Sequence, residues 1–221
     1  GLGFVIAILA MGWVLLQTAL NIYHRLQIEN FHHYRQLESI ASLHALIKIR
    51  QPLPPMRLWA ISPDFALLVA TMIKEHRPKH IVELGSGTST VISSYSLELV
   101  GQGKVTSYDH QQEFVDTSRR MIKRHELDTI ATIRHAPLTD VDIDSDDWRW
   151  YDLEMMSDLR DIDLLIVDGP PEVRGKLSRY PALPALFDQL RDGAIILIDD
   201  VMREAETQMI NRWLDEHTGR A

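Results

Sequence analysis

Five short apolar runs are spaced along the chain from residue 80 onward: HIVEL at 80–84, KVTSY at 104–108, ATIRH at 131–135, DLLIV at 163–167 and AIILI at 194–198. Segments with helical character separate them at 89–99, 111–125 and 180–191, and another lies beyond 203. Short apolar strands that alternate with helices imply a parallel sheet covered on both faces. The expected fold class is therefore α/β, doubly wound. In such sheets ligands bind beyond the carboxyl ends of the strands, where the strand order reverses. The residues just after each run are the ones that carry function.

Composition narrows the chemistry. The chain has no cysteine, which excludes disulfides, thiol nucleophiles and thiolate metal sites, so any metal must be held by oxygen or imidazole. The net charge of -8 is uneven: residues 1–50 hold four Lys or Arg against two acids, and residues 51–221 hold 19 against 29. No basic stripe marks the main domain, so a nucleic-acid partner is not expected.

Residues 1–23, GLGFVIAILAMGWVLLQTALNIY, contain no charged side chain. About 20 helical residues at roughly 1.5 Å each match a hydrocarbon core of about 30 Å. We expect a single-pass membrane anchor here, with Tyr23 at the interface and with Arg25 and Arg35 favouring a cytoplasmic location for the rest of the chain. A helix buried against the main domain is the bland alternative. A signal peptide would need a basic start and a small-x-small cleavage site, and neither is present. The chain begins at Gly1 rather than at a methionine, so we expect further sequence upstream. Residues 24–50 lack Pro and Gly and place Leu26, Phe31, Leu37, Ile40, Leu43 and Ile47 on one stripe, predicting a juxtamembrane helix that packs on its own domain or pairs with a second copy as a homo-oligomer. The prolines at 52, 54 and 55 mark a stiff linker and open the main domain at 51–221. Ser62-Pro63-Asp64 then predicts a capped helix to about residue 75.

After the first strand comes Gly85-Ser86-Gly87, after the second Asp109-His110, after the third Ala136-Pro137, after the fourth Asp168-Gly169, and after the fifth Asp199-Asp200. Two glycines within ELGSGTST remove side chains where a cofactor would lie, and the amides opening the next helix offer donors to a polar group. Asp109 is 24 residues beyond Gly85, placed to accept from the ribose hydroxyls of a nucleoside-containing cofactor. The third glycine of a dinucleotide fingerprint is replaced by Thr90, and no Lys comes after it as in a phosphate loop. The Glu83 carboxylate would repel a pyrophosphate but suits a positively charged amino-acid end.

These residues resemble class I S-adenosylmethionine-dependent methyltransferases. VELGSGTST looks like their first motif and VTSYDH like their second, and the likeness, with LPPMRLWAISPD, DLLIVDGPP, RYPALPAL and GAIILIDDV, runs from about 54 to 217. The group is a bacterial one that modifies sugars and natural products. The resemblance implies a Rossmann-like methyltransferase sheet in which Glu83, Gly85, Ser86 and Gly87 hold the methionine end, Asp109 the ribose, and His110 with Ala136 the adenine. It places Asp168 nearest the transferred methyl group. Related enzymes of the catechol type hold a divalent cation at the positions of Asp168, Asp199 and Asp200, and three carboxylates suit Mg2+. Without a metal, Asp168, His110 or His135 is the expected base.

Between 139 and 163, ten acids stand against two arginines, and a solvated loop is expected there; a calcium loop is excluded because Asp147 falls where Gly is needed and Leu153 where Glu is needed. Trp148, Trp150, Tyr151 and Trp59 either wall an acceptor pocket or pack ordinarily. Arg174, Lys176, Arg179 and Tyr180 suggest a substrate-facing lid for an acidic acceptor. The family closes its sheet with two more strands that this sequence lacks, which suggests truncation. The expected acceptor is a hydroxyl of a glycan, glycolipid or small natural product. A non-catalytic membrane scaffold that retains cofactor binding is the alternative, and a nicotinamide-dependent oxidoreductase is disfavoured by Glu83 and Thr90.

Overall fold

The structure, a computed structural model, describes residues 1–56, 60–144, 146–171 and 177–217. Helix α1 spans Leu2–Leu46 without a break, and α2 spans Pro63–His76. The alternating core comprises β1 (His80–Leu84), α3 (Thr88–Val100), β2 (Lys104–Asp109), α4 (Gln112–Arg124) and β3 (Ala131–His135). A hairpin of β4 (Leu138–Ile143) and β5 (Asp146–Tyr151) comes next. The chain ends with β6 (Ile162–Val167), α5 (Ala182–Leu186), β7 (Leu190–Ile198) and α6 (Glu204–His217).

Five strands form a wholly parallel sheet in the order β3-β2-β1-β6-β7. The chain steps outward from β1 to β3 and then returns across β1 to lay down β6, so the order reverses between β1 and β6. Strand residues alternate between two cores. Ile81, Val105, Ile133, Leu164 and Ile166 face α2, α3 and α4, whereas Val82, Leu84, Leu165 and Val167 face the hairpin, α5 and α6. This is the doubly wound arrangement, with both faces of the sheet dry. The outer edge of β7 has no partner strand among the described residues.

Four local expectations need correction. The acidic stretch is an antiparallel hairpin rather than a solvated loop, because its aromatic positions find a core: Trp150 and Tyr151 are fully buried, and Trp148 stacks on Tyr180 at 4.9 Å between ring centroids. The helix expected at 180–191 is only five residues long, followed by a short 3-10 turn at Phe187–Gln189, and β7 begins four residues earlier than its apolar run suggests. Ser62 does not cap α2 with its side chain; its hydroxyl donates to Asp64 Oδ1 at 2.6 Å, and the Asp64 carboxylate instead accepts from the Phe65 amide. The stripe of α1 divides, with Leu43 and Ile47 buried against the domain while Leu26, Phe31 and Leu37 stay more than half exposed.

Candidate functional site

Glu83 is the penultimate residue of the central strand and is completely buried. Burial raises its carboxyl from 4.5 to about 7, and the Thr90, Ser89 and Ser107 hydroxyls pull it part of the way back. Thr90 Oγ1 donates to Glu83 Oε2 in a very short hydrogen bond and accepts from the Gly87 amide at 3.1 Å. This explains why Thr90 replaces a third glycine: its hydroxyl orients the acid. Among the described residues, Glu83 Oε1 has no hydrogen-bond partner. A buried carboxylate oxygen without a donor costs free energy unless a ligand supplies one.

The turn above it is built for close approach. Gly85 has φ +101, and a Cβ there would sit 3.3 Å from the Asp168 backbone, so this glycine lets the ends of β1 and β6 converge. A Cβ on Gly87 would meet nothing within 4 Å among the described residues, so they leave open the space over the start of α3. Ser86 and Asp109 are joined: the Ser86 amide and hydroxyl both donate to Asp109 Oδ2, at 3.2 and 3.0 Å. Asp109 Oδ1 accepts from the Gln111 amide at 3.1 Å, so this acid also steadies the entry to α4. His110 lies beside Asp109, with Nδ1 3.5 Å from Oδ1, and its pKa is lowered by burial, against the pull of Asp109. His135 Nε2 sits 3.2 Å from the His110 carbonyl oxygen, and Ala136 is buried with its amide donating to the Asp109 carbonyl. The structure thus brings Glu83, Gly85, Ser86, Gly87, Asp109, His110, His135 and Ala136 to one side of the strand ends.

Asp168, Asp199 and Asp200 meet on the other side, with one carboxylate oxygen of each within 4.8 Å of the others. Burial raises Asp168 well above the usual carboxylate range, and neighbouring Asp199 adds to it while Arg179 opposes. Asp199 is likewise raised by burial. Asp200 holds a left-handed backbone, φ 61, which a non-glycine residue adopts at a cost of about 1–3 kcal/mol, a pattern typical of functional turns. Its amide donates to Asp199 Oδ1 at 2.8 Å.

Arg179 does not face the solvent as a lid. It is 5% exposed and enters the acidic cluster from below, with Nη2 3.4 Å from Asp168 Oδ1 and 3.2 Å from Asp200 Oδ2, and with Nη1 donating to the Asp199 carbonyl at 3.0 Å. Glu206 of α6 is a further partner at 3.7 Å. Tyr180 is also buried, its hydroxyl 2.6 Å from Glu216 and its ring covered by the Arg212 guanidinium at 3.9 Å. Arg174, Lys176 and Trp59 lie outside the described residues. Tyr151 is a site residue that its neighbours in sequence conceal. Its hydroxyl would be 2.5 Å from a Cβ on Gly169, so the last residue of the hairpin bears on the Asp168-Gly169 turn from above. Sequence offered one clue to Arg179, the excess of acids that the strand ends collect and that some cation must balance.

Two guanidinia serve the four acids: Arg179, which approaches one oxygen each of Asp168 and Asp200, and the exposed Arg203, which pairs with the same Asp200 oxygen at 2.9 Å. The donor set therefore fits a divalent cation of the hard, oxygen-seeking kind. The unpartnered Glu83 oxygen beneath an open glycine shelf fits the ammonium of an amino-acid-bearing nucleoside.

A parallel sheet with a glycine shelf, a buried acid beneath it and a second acid one strand away defines an α/β enzyme that uses a nucleoside cofactor. The chain belongs to the methyltransferase domain family, whose model matches residues 82–201. It is an S-adenosylmethionine-dependent methyltransferase of class I. No curated protein matches it in sequence. Its fold is similar to that of the Bacillus cereus O-methyltransferase solved with S-adenosylhomocysteine, at 18% identity and a TM-score of 0.54 over 83% of this chain and 78% of that one. It is similar to TomG of Streptomyces achromogenes, an O-methyltransferase involved in tomaymycin synthesis and solved with S-adenosylmethionine, at 14% identity and 0.54 over 74% and 71%. It is also similar to the Podospora anserina methyltransferase PaMTH1, at 17% identity and 0.52; it covers 62% of that chain with 76% of its own.

Proposed function

We propose that the protein is a membrane-anchored O-methyltransferase whose catalytic domain lies in the cytoplasm and whose acceptor is a hydroxyl of a glycan, glycolipid or small natural product. The observation that carries the cofactor reading is Glu83, buried under the Gly85–Gly87 shelf with Oε1 unpartnered. Glu83 would receive the ammonium of the methionine end, the amides of the first turn of α3 would line its carboxylate, and Asp109 would accept from the ribose. His110 and Ala136 would flank the base. When bound, S-adenosylmethionine supplies a methyl group on a sulfonium, open to in-line attack.

Asp168 stands at the reversal point between β1 and β6, next to Gly85, and so borders the end of the shelf where the acceptor must enter. We assign it the acceptor's proton, with Arg179 holding the carboxylate from beneath. The buried Tyr151 above the turn excludes water from the same spot. Asp168, Asp199 and Asp200 would hold Mg2+ where one is used, and the ion would lower the pKa of the acceptor hydroxyl.

Helix α1 supports the membrane reading. It is long and apolar enough to cross a bilayer, and none of its most apolar 18-residue window is buried within the protein. Leu2, Trp13, Leu16 and Tyr23 all stand exposed along that half of the helix. Calorimetry with S-adenosylmethionine tests the cofactor reading, and methyl release over hydroxyl acceptors tests turnover. Failure to bind the cofactor at millimolar concentration, with the fold intact, removes the assignment. The membrane reading requires that detergent, but not high salt or carbonate, releases the protein from membranes.

A further inference from the structure

We infer that the methyl acceptor is carried by the bilayer itself, as a hydroxyl on the extended polar head group of a glycan-bearing lipid. This rests on the membrane-anchored methyltransferase reading and adds to it the direction in which the site faces. Two contacts fix that direction. Near the start of the packed part of α1, the Gln36 side chain accepts from the amide of Asp64, the second residue of α2. Just beyond the other end of α1, Arg50 donates through its side chain to the carbonyl of His125, which closes α4, pairs with Glu98 in the last turn of α3, and donates through its amide to the Tyr95 hydroxyl. Leu43 and Ile47 are buried between these points in the core that α2 and α3 form.

Helices α2, α3 and α4 each run from the carboxyl-end face of the sheet to the opposite face: α2 leads into the start of β1, and α3 and α4 come directly after β1 and β2. The packed part of α1 therefore runs the same way, and its N-terminal half projects from the face that holds Glu83, Asp109 and Asp168. A bilayer around the uncharged residues 1–23 then lies on the side of the cofactor shelf. The stalk from Tyr23 to Gln36 is 13 residues, which at 1.5 Å each holds the strand ends about 20 Å from the membrane surface.

Direction and distance both bear on the acceptor. Tethering raises the effective concentration of an enzyme toward molecules held in the same plane, and it gives no such advantage toward solutes. A stand-off of about 20 Å puts hydroxyls at the glycerol level out of reach, whereas a head group several sugar units tall would span it. The hairpin over the site carries Asp140, Asp142, Asp146 and Asp147. Facing a bilayer with anionic lipids, these acids favour a domain that stands off rather than one that lies on the surface.

The chain has no cysteine, so single labels can be placed in the full-length protein. Glu113→Cys labels the first turn of α4 on the site's face and Lys79→Cys the opposite face, and both positions are exposed. With the labelled protein in vesicles of phosphatidylcholine and phosphatidylglycerol, energy transfer to a head-group dye should place Glu113 nearer the bilayer than Lys79 by about 15 Å, the length of a five-residue strand. Equal distances, or Lys79 nearer, overturn the inference. In membranes of cells that make the full chain, tritium from the labelled methyl donor should enter glycan-bearing material that organic solvent extracts; tritium in water-soluble products alone overturns it. Loss of cofactor binding with the labels in the expected order would instead refute the methyltransferase reading and leave the orientation standing.

Discussion

The role proposed for Glu83 ties cofactor binding to pH. Its carboxyl is raised from 4.5 to about 7 by burial, so its proton is bound more tightly in the folded state than in the unfolded chain. The stability it contributes is present in full below pH 4.5 and is lost as the pH rises through about 7. The shift of roughly 2.5 units corresponds to about 3 kcal/mol at most, of which about 2 to 3 kcal/mol falls between pH 5 and pH 8. Glu83→Gln has no such proton, so the stability of the unliganded wild type relative to the variant should decline by that amount over this window in urea denaturation. Ligand binding runs the other way. An ammonium against Oε1 favours the ionised acid, so the wild type should bind S-adenosylhomocysteine about 20-fold more weakly at pH 5.5 than at pH 7.5. The variant should bind 10- to 100-fold more weakly than the wild type at pH 7.5, the range for a lost charge-assisted hydrogen bond of about 1.5–3 kcal/mol, and should show no pH step. Calorimetry at both pH values reads the binding changes. A flat wild-type profile, or a variant that binds as tightly as the wild type, would refute the role of Glu83 as the amino-group receptor.

The two glycines of the shelf should separate folding from binding: Gly87→Ala, whose Cβ meets open space, should leave the denaturation midpoint unchanged and weaken cofactor binding about tenfold or more, whereas Gly85→Ala, strained at φ +101 and crowded by Asp168, should cost about 1–3 kcal/mol of stability. Arg179→Met leaves Asp168, Asp200 and Glu206 without their buried cation and should destabilise the protein by about 3–5 kcal/mol in urea denaturation, with Arg179→Lys recovering part of the loss. Asp199→Asn removes one of the three converging carboxylates and, on the proposed Mg2+ reading, should weaken Mg2+ binding at least tenfold in a calorimetric titration; an unchanged titration would remove this residue from the proposed site.

The sheet was legible because its evidence is local and repeated. Each of the five apolar runs is followed by a small or acidic residue, and that pairing survives any error in strand ends. The shelf was legible for the same reason, since Glu83, Gly85 and Gly87 lie within five consecutive residues at the end of β1 and the turn after it. What escaped depends on contacts between distant segments. Ten acids outweighed three aromatic residues in the reading of 139–163, yet Trp150 and Tyr151 are buried in a core supplied by β6, α5 and α6, while Asp146 and Asp147 stand exposed at the start of β5. Arg179 read as a surface cation because it comes after a turn rich in charge, and only the convergence of β6 and β7 shows that it sits under three carboxylates. The split in the α1 stripe was invisible because Leu26 and Leu43 are alike in sequence and differ only in whether α2 lies beside them.

The buried charges also weigh against a scaffold that holds the cofactor without turning it over. Cofactor retention would account for Glu83 and Asp109, which line the shelf. It gives no reason for Asp168, Asp199 and Asp200 to converge beyond it, where burial opposes the ionisation of two of them and the third bears a left-handed backbone. Arg179 offsets part of that cost, but an apolar cluster of the same volume would be at least as stable. Such a cluster would also close the strand ends more tightly. A group of acids held at this expense, at the one place where the strand order reverses and beside the turn that a methyl donor would touch, is what a reaction needs and what anchorage alone does not.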